Sequence, residues 1–195
     1  MKKLSYIGIM FVVAWATLLS FSCEKDDICA EGTITTPLLV IEFFDAANTS
    51  GEDVLKNVTN LWVEAVNPNT EVVQVEGVDV TVIVDPIQTS PQTVNTISIP
   101  LRTQEGSTEY RFIADYELDE NNNQLGNEDI LTFNYETQEI FLSRACGYYT
   151  NYTLNVSNGV EVTPDTDNWI NPSTGILISE INVQNETVTH VKIYH

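Results

Sequence analysis

Short segments in which apolar and polar residues alternate run through most of the chain, and they limit the fold more than any other feature. The clearest ones lie at residues 61–66, 96–101, 110–118 and 146–156. A period of two is typical of strands with one buried face. Leu38 to Phe44 is apolar on both faces except at Glu42, which indicates a central strand covered on both sides. The pattern predicts an all-β fold, an antiparallel β-sandwich, immunoglobulin-like or similar, with about eight or nine strands.

Polar segments predict how these strands are connected. One hairpin is expected from Ile130 to Ala145, turning at residues 136–138, and another from Ile176 to Tyr194. Asp119 to Asp129 is acidic and rich in asparagine, which predicts a mobile polar loop. No convincing amphipathic helix is present in the sequence, and the best candidate is one or two turns at Glu52 to Val58.

Large aromatic side chains in the alternating segments supply the predicted core, because they contribute much of the apolar area that drives burial. They are Phe43, Trp62, Phe112, Phe133, Phe141, Tyr148 and Tyr152. Pro100 favours an edge position for the strand that precedes it. If the core is closed, we expect no deep pocket, so that function lies on the surface or in loops.

The N-terminus has the pattern of a bacterial lipoprotein signal. Basic residues at the start precede an uncharged run from Ile7 to Leu19, and small residues lead to Cys23. This pattern predicts a signal peptide at residues 1–22, cleaved before Cys23, which then carries diacylglycerol and palmitate. The alternative is an uncleaved membrane-spanning helix, but a span needs about 20 predominantly apolar residues and this run is shorter.

The residues after the predicted cleavage site indicate a destination. Glu24, Lys25, Asp26 and Asp27 resemble the export signal that takes lipoproteins to the outer face of the outer membrane. The alternative is an acidic tether that only keeps the anchor solvated. We expect an outer-membrane, lipid-anchored protein that faces the cell surface. Its predicted parts are an acidic tether at residues 23–36 and a single β-sandwich domain at residues 37–195.

The charge of the chain excludes some partners. The full sequence has 8 basic and 28 acidic residues. Removing residues 1–22 removes two lysines and no acid, so the mature charge is 6 − 28 = −22. Nucleic-acid binding depends on Lys and Arg that neutralise phosphates, so no nucleic-acid partner is expected. Adsorption to an anionic membrane by charge is equally disfavoured. The membrane contact is expected through the lipid on Cys23.

Two cysteines remain once Cys23 is assigned to lipid. Cys29 and Cys146 lie in a chain with an export signal. Exported proteins reach oxidising compartments, in which disulfides form and persist. The alternatives are free thiols or a metal pair, but a metal site needs further ligands, and His190 and His195 are the only histidines. We predict a Cys29–Cys146 disulfide that holds the tether onto the domain.

Several polar or aromatic residues are candidate sites, each with a plainer structural alternative. Asp119 to Asp129 could bind calcium weakly, although it lacks the helix-loop-helix pattern and a solvated loop is the default. Trp62 and Trp169 could stack on a sugar, although core packing is the alternative. Tyr149 opposes the predicted core face and is ranked first for an exposed role. Arg144 could bind a carboxylate or phosphate, or pair with an acid on a neighbouring strand.

Several stretches together resemble one family. They are Asp26-Asp27-Ile28-Cys29, Thr35-Thr36-Pro37 before Phe43-Phe44-Asp45, Ser143-Arg144-Ala145-Cys146-Gly147-Tyr148, Asp167-Asn168-Trp169-Ile170 and His190-Val191-Lys192-Ile193-Tyr194-His195. They are similar to an uncharacterised Bacteroidota lipoprotein family of unknown function. The resemblance implies a single all-β domain with a matched cysteine pair and no activity to transfer.

These observations predict a non-enzymatic lipoprotein. The sequence offers no nucleophile with a histidine base, and no catalytic residue, cofactor or dedicated metal site is expected. The first hypothesis is binding of an envelope partner protein, of which an outer-membrane protein is the expected kind. The alternative is a glycan- or small-ligand-binding surface module, with Tyr149, Arg144 and Trp169 as the predicted ligand surface.

Overall fold

The computed structural model describes residues 28–68, 70–75, 78–83 and 86–195. The chain divides into two compact units. The described part of the first consists of residues 28–34 with Phe141–Tyr149, and the second of Thr35–Ile140 with Thr150–His195. The described residues form strands and connecting segments without a helix, so the predicted all-β class is confirmed.

The strands are more numerous than the eight or nine predicted, because several are only two to four residues long. They are β1 (Leu39–Phe44), β2 (Val58–Ala65), β3 (Thr70–Val75), β4 (Val78–Ile83), β5 (Gln92–Val94), β6 (Thr96–Ile99), β7 (Ser107–Leu118), β8 (Gln124–Ser143), β9 (Gly147–Leu154), β10 (Val160–Val162), β11 (Ile176–Ile178), β12 (Asn182–Val183) and β13 (Val191–Tyr194).

The smaller main sheet has the order β11-β13-β1-β6. β1 lies inside it and is buried along its length except at Glu42, as its doubly apolar sequence predicts. β6 lies at the edge and ends beside Pro100, which cannot donate to a further strand. The last strand, β13, runs parallel to β1, with Ile41 opposite Val191, so the sandwich is mostly rather than wholly antiparallel.

The larger main sheet has the order β12-β9-β8-β7-β2-β5, and β10 also pairs with β8. The hairpin predicted to turn at residues 136–138 is wrong, because β8 continues through them as one strand of 20 residues. Residues 136–139 are exposed within that strand, so their polarity reflects solvent and not a turn. The last predicted hairpin is partly correct: β11 pairs with β13, but β12 joins β9 in the larger sheet.

A separate hairpin and a short bridge complete the described structure. β3 and β4 pair only with each other, from Thr70 opposite Ile83 to Val75 opposite Val78. The segment at Glu52 to Val58 forms no helix; Leu55 within it makes an isolated bridge to Phe44. The predicted one or two helical turns there are therefore wrong.

Side chains from both main sheets meet in one core. Four predicted core aromatics, Phe43, Phe112, Phe133 and Tyr152, are at most 1% exposed. Three predictions are wrong. Phe141 and Tyr148 are 55% and 65% exposed and belong to the first unit, whereas the core residues belong to the second. Trp62 is half-buried, between Leu61 and Val63, whose side chains occupy the core.

Three buried tyrosines hold the segment that links β6 to β7. The hydroxyls of Tyr110, Tyr152 and Tyr135 donate to the backbone carbonyls of residues 100, 101 and 102, respectively. The distance from Tyr152 Oη to the carbonyl oxygen of Leu101 is 2.8 Å. Burial raises the pKa of all three phenols, and that of Tyr152 to about 12. The neutral hydroxyls are thus stabilised as donors.

Candidate functional site

An aromatic pair lies on the outer face of the larger sheet. Because successive side chains of a strand point to opposite faces, Trp62 points away from the core that Leu61 and Val63 fill. Its indole stacks on the ring of Tyr116 from β7, with ring centroids 5.3 Å apart and an interplanar angle of 29°. Trp62 Nε1 donates to Glu64 Oε2 over 3.1 Å. Trp62 and Tyr116 therefore form an aromatic pair outside the core, on the surface of the sheet.

A β-bulge makes this stacking feasible. The register between β7 and β8 shifts between Ala114 and Glu117, and Asp115 has a φ of 53°. A bulge adds one residue and redirects the side chains that follow it. The alternation before the bulge is therefore no guide to the face that Tyr116 occupies.

An ion-pair network continues the same face. Arg111 on β7 stands opposite Glu64 on β2, and its guanidinium contacts that carboxylate. Arg111 Nη1 also lies 3.7 Å from Glu128 Oε2 on β8. We call Trp62, Glu64, Arg111, Tyr116 and Glu128 the Trp62 surface. It combines a rigid aromatic pair with one cation held between two anions.

A cleft of about 460 Å³ adjoins Trp62. Trp62 and its neighbours on β2 form one wall, and residues 86–88 and 100–105 form others. Gln88 is buried there, and its Oε1 accepts a hydrogen bond from the backbone of Val63 at 2.7 Å. The Arg102 guanidinium donates to both carboxylate oxygens of Glu105, at 2.9 and 3.1 Å.

A closed core was expected to leave no deep pocket, but nothing was predicted about a cleft at the surface. Most of its walls are connecting segments outside the strands. A period-two pattern indicates which faces of strands are apolar. It carries no information on how the connecting segments beside the strands are arranged. Sequence reasoning therefore had no signal for this cleft.

Two of the predicted ligand residues, Tyr149 and Arg144, belong to the first unit, and Trp169 belongs to the second. Trp169 packs against the core beside Phe43, and its Nε1 donates to the carbonyl of Phe112 at 3.3 Å. Tyr149 is half-buried, whereas its neighbour Tyr148 is exposed, so the predicted parity is wrong for this pair. Arg144 is exposed in the turn between β8 and β9 rather than within a strand, and it has no ion pair with the part of the chain that the structure describes.

The cysteine pair has the geometry of a disulfide. Cys29 and Cys146 have their Sγ atoms 2.17 Å apart and their Cα atoms 4.9 Å apart. Both belong to the first unit. The predicted lipidation site Cys23 and the predicted export signal at residues 24–27 lie outside the described residues. No helix among the described residues is long and apolar enough to cross a membrane.

Exposed apolar side chains gather in the first unit around this disulfide. Phe141 and Tyr148 are in contact, with ring centroids 5.2 Å apart. Ile28 and Ile34, on the segment that carries Cys29, are 86% and 59% exposed. We call Ile28, Ile34, Phe141, Arg144 and Tyr148 the tip patch.

The predicted calcium loop is a short turn. Asp119 accepts hydrogen bonds from the backbone of Asn121 and from the backbone and side chain of Asn123, each at 2.8 Å. These bonds lower the pKa of Asp119. β8 already begins at Gln124, so the polar loop ends earlier than predicted. Within the described residues, no group of three or more His, Cys, Asp or Glu side chains could hold a metal ion.

Asp129 is a buried carboxylate that sequence reasoning placed in the loop. It lies within β8, fully buried, and accepts hydrogen bonds from Asn168 Nδ2 at 2.8 Å and from the backbone of Ile170 at 2.7 Å. Burial raises its pKa. Asp129 therefore holds the turn that brings Trp169 to the core.

The two histidines occupy different sites. His190 is fully buried, and its Nδ1 accepts a hydrogen bond from the backbone of Val40 at 2.9 Å. The ring of His195 packs edge-on against Phe43 and Trp169. Burial lowers the pKa of both imidazoles, which favours their neutral forms.

Comparison with protein families gives one match. A family of unknown function, DUF6452, matches residues 71–195. The chain belongs to this family. The match includes the predicted family stretches at residues 143–148, 167–170 and 190–195. No curated protein and no solved structure gave a match.

Proposed function

We propose that this DUF6452 protein is a non-enzymatic lipoprotein of the Bacteroidota type, anchored in the outer membrane at Cys23 and facing the cell surface, which binds an envelope partner protein. The anchor rests on the sequence: a basic start, an uncharged run and small residues before Cys23. The absence of activity rests on the lack of a nucleophile–base pattern in that sequence. Binding rests on the Trp62 surface.

The Trp62 surface has the composition of a protein–protein hot spot. Trp, Tyr and Arg are enriched at hot spots, where rigid aromatic area is held in place before binding. Trp62 is held in this way by stacking on Tyr116 and by its hydrogen bond to Glu64. The observation that carries the proposal is this half-buried tryptophan on an outer sheet face, outside the core to which Leu61 and Val63 belong.

The binding experiment is crosslinked co-purification from intact envelope. Trp62→Ala and Arg111→Glu should each lower recovery of the crosslinked partner at least several-fold, as hot-spot truncations do. Leu177→Ala is the matched control, because Leu177 is half-exposed on the smaller sheet. Equal recovery with all three variants, each checked for unchanged thermal unfolding, contradicts partner binding at the Trp62 surface.

The anchor is tested separately. Cys23→Ala should release the protein from membranes and remove the lipid mass from its N-terminal peptide. Retention of the variant in the membrane fraction, together with no lipid mass on the native peptide, contradicts the anchor.

The cleft favours a second candidate function, the binding of a glycan or small ligand. It has the volume of a ligand site, an indole in its wall and the Arg102–Glu105 pair as polar groups. Saturation-transfer NMR with a panel of neutral oligosaccharides tests it. Signals that Arg102→Ala abolishes and Arg111→Ala preserves support the cleft, because Arg111 does not line it. No transfer from any sugar, or transfer that Arg102→Ala leaves intact, contradicts glycan binding in the cleft.

A further inference from the structure

We infer that the tip patch rests on the headgroup layer of the bilayer that holds Cys23, as a second membrane contact beside the lipid. This inference rests on the proposed acylation of Cys23. It concerns the first unit alone and assigns the bilayer, rather than a partner protein, to the exposed side chains around the Cys29–Cys146 disulfide.

The length of the tether limits where the tip patch can be. Ile28 is five residues from Cys23. An extended chain spans at most about 3.6 Å per residue, so Ile28 lies within about 18 Å of the acylated residue. Ile28 is thus held close to the membrane surface.

The disulfide sets a wider limit of the same kind for the aromatic residues. Cys29 and Cys146 have Cα atoms 4.9 Å apart. Tyr148 follows Cys146 by two residues, and the ring of Phe141 lies 5.2 Å from that of Tyr148. Summing these steps, Tyr148 lies within about 34 Å of Cys23 even with the tether fully extended. The disulfide therefore connects the aromatic pair to the anchor.

The side chains of the tip patch suit the bilayer interface. Tyrosine is enriched at membrane interfaces, because its ring is apolar and its hydroxyl can stay hydrated. Tyr148 and Phe141 are 65% and 55% exposed, and Ile28 is 86% exposed. Arg144, exposed beside them, can extend its guanidinium to phosphate groups while its methylenes cover apolar surface.

The charge of the tip also differs from that of the chain. The full chain has a net charge of −20, but residues 28–34 and 141–149 contain one carboxylate, Glu31, and one guanidinium, Arg144. The described part of the first unit therefore adds no net charge of its own to the acidic tether. Interfacial binding of this kind scales with the apolar area that is buried, so it needs no cluster of basic residues.

Quenching by brominated lipid tests the inference on the full, acylated protein. The protein is reconstituted into phosphatidylcholine vesicles whose acyl chains carry bromine. Tyr148→Trp places a new fluorophore in the tip patch, and Leu177→Trp places one at an exposed position of the smaller sheet. After subtraction of the native tryptophan signal, quenching of the fluorophore at position 148 should be at least two-fold greater than at position 177.

The outcomes separate this inference from the proposed anchor. Equal quenching at the two positions, with lipid mass present on Cys23, overturns the bilayer contact and leaves the anchor intact. No lipid mass on Cys23 overturns both. A photocrosslinking residue at position 148 gives a further reading in intact envelope: lipid adducts support the inference, and a protein adduct in their place overturns it.

Discussion

Replacing Tyr152 by phenylalanine should destabilise the second unit by removing one hydroxyl and no apolar area. The hydroxyl donates to the carbonyl of Leu101 at 2.8 Å, and the two residues are 1% and 5% exposed. Without it, the buried carbonyl has lost its side-chain donor. The other two tyrosines of this group hold the neighbouring carbonyls, so the link between β6 and β7 should loosen but stay in place.

The expected magnitude follows from the burial of both partners. A hydrogen bond contributes about 0.5–1.5 kcal/mol net, and a buried group left without a partner costs about 1–3 kcal/mol. We therefore expect Tyr152→Phe to lower the free energy of unfolding by about 1–2 kcal/mol. In a chain of this size that corresponds to a fall in Tm of about 2–8 °C.

Tyr148→Phe is the matched control, because it removes the same hydroxyl from a side chain that is 65% exposed. Its effect should stay within about 0.5 kcal/mol, as for ordinary surface substitutions. Urea unfolding with the disulfide intact measures the free energy of unfolding of both variants. The two variants should have the same m-value. The reasoning is refuted if Tyr152→Phe and Tyr148→Phe have the same midpoint.

The pH dependence of the same variant gives an independent check. Burial raises the pKa of Tyr152 from 10.0 to about 12. The unfolded state therefore loses this proton at a lower pH than the folded state, so stability is full below pH 10 and falls between pH 10 and 12. One such proton contributes a slope of about 1.4 kcal/mol per pH unit. The native protein should lose stability more steeply than Tyr152→Phe across that interval, and parallel curves contradict the assignment.

Three further predictions concern two buried side chains and the cysteine pair. Asp129→Ala should destabilise the second unit by about 2–4 kcal/mol in urea unfolding, because the backbone N–H of Ile170 loses its buried acceptor; a loss below about 1 kcal/mol contradicts this role. Burial lowers the pKa of His190, so the unfolded state takes up a proton first, and stability should fall as the pH drops below about 6.5. His190→Gln should flatten that fall, and an unchanged slope rules the reasoning out. Non-reducing peptide mapping should find Cys29 and Cys146 in one linked species, and alkylation of both thiols in untreated protein excludes it.

Several parts of the fold could be predicted because they depend on local pattern. The doubly apolar stretch at Leu39–Phe44 is an inner strand, and the alternation at Leu61 and Val63 identifies their buried face. The predicted cysteine pairing agrees with the placement of Cys29 and Cys146. In each case, the residues that carry the signal are the residues that make the contact.

Other parts depend on which surfaces the folded chain brings together, and the sequence pattern does not predict them. Period two assigns Trp62 to the face opposite Leu61, but it does not show that Trp62 stacks there on Tyr116 and donates to Glu64. The bulge at Asp115 redirects Tyr116 and so creates the aromatic stack. Burial of Asp129 depends on a turn 39 to 41 residues away that supplies its hydrogen-bond donors.

By itself, the sequence determined the all-β class, the inner strand β1 and the apolar face of β2, because side-chain alternation along a strand is a local property. The parallel pairing of β13 with β1, the continuity of β8, and the stack of Trp62 on Tyr116 beside the cleft are evident only from the three-dimensional structure. These features arise from contacts between residues far apart in sequence. A one-residue bulge or a change of neighbouring strand alters them without changing the local pattern.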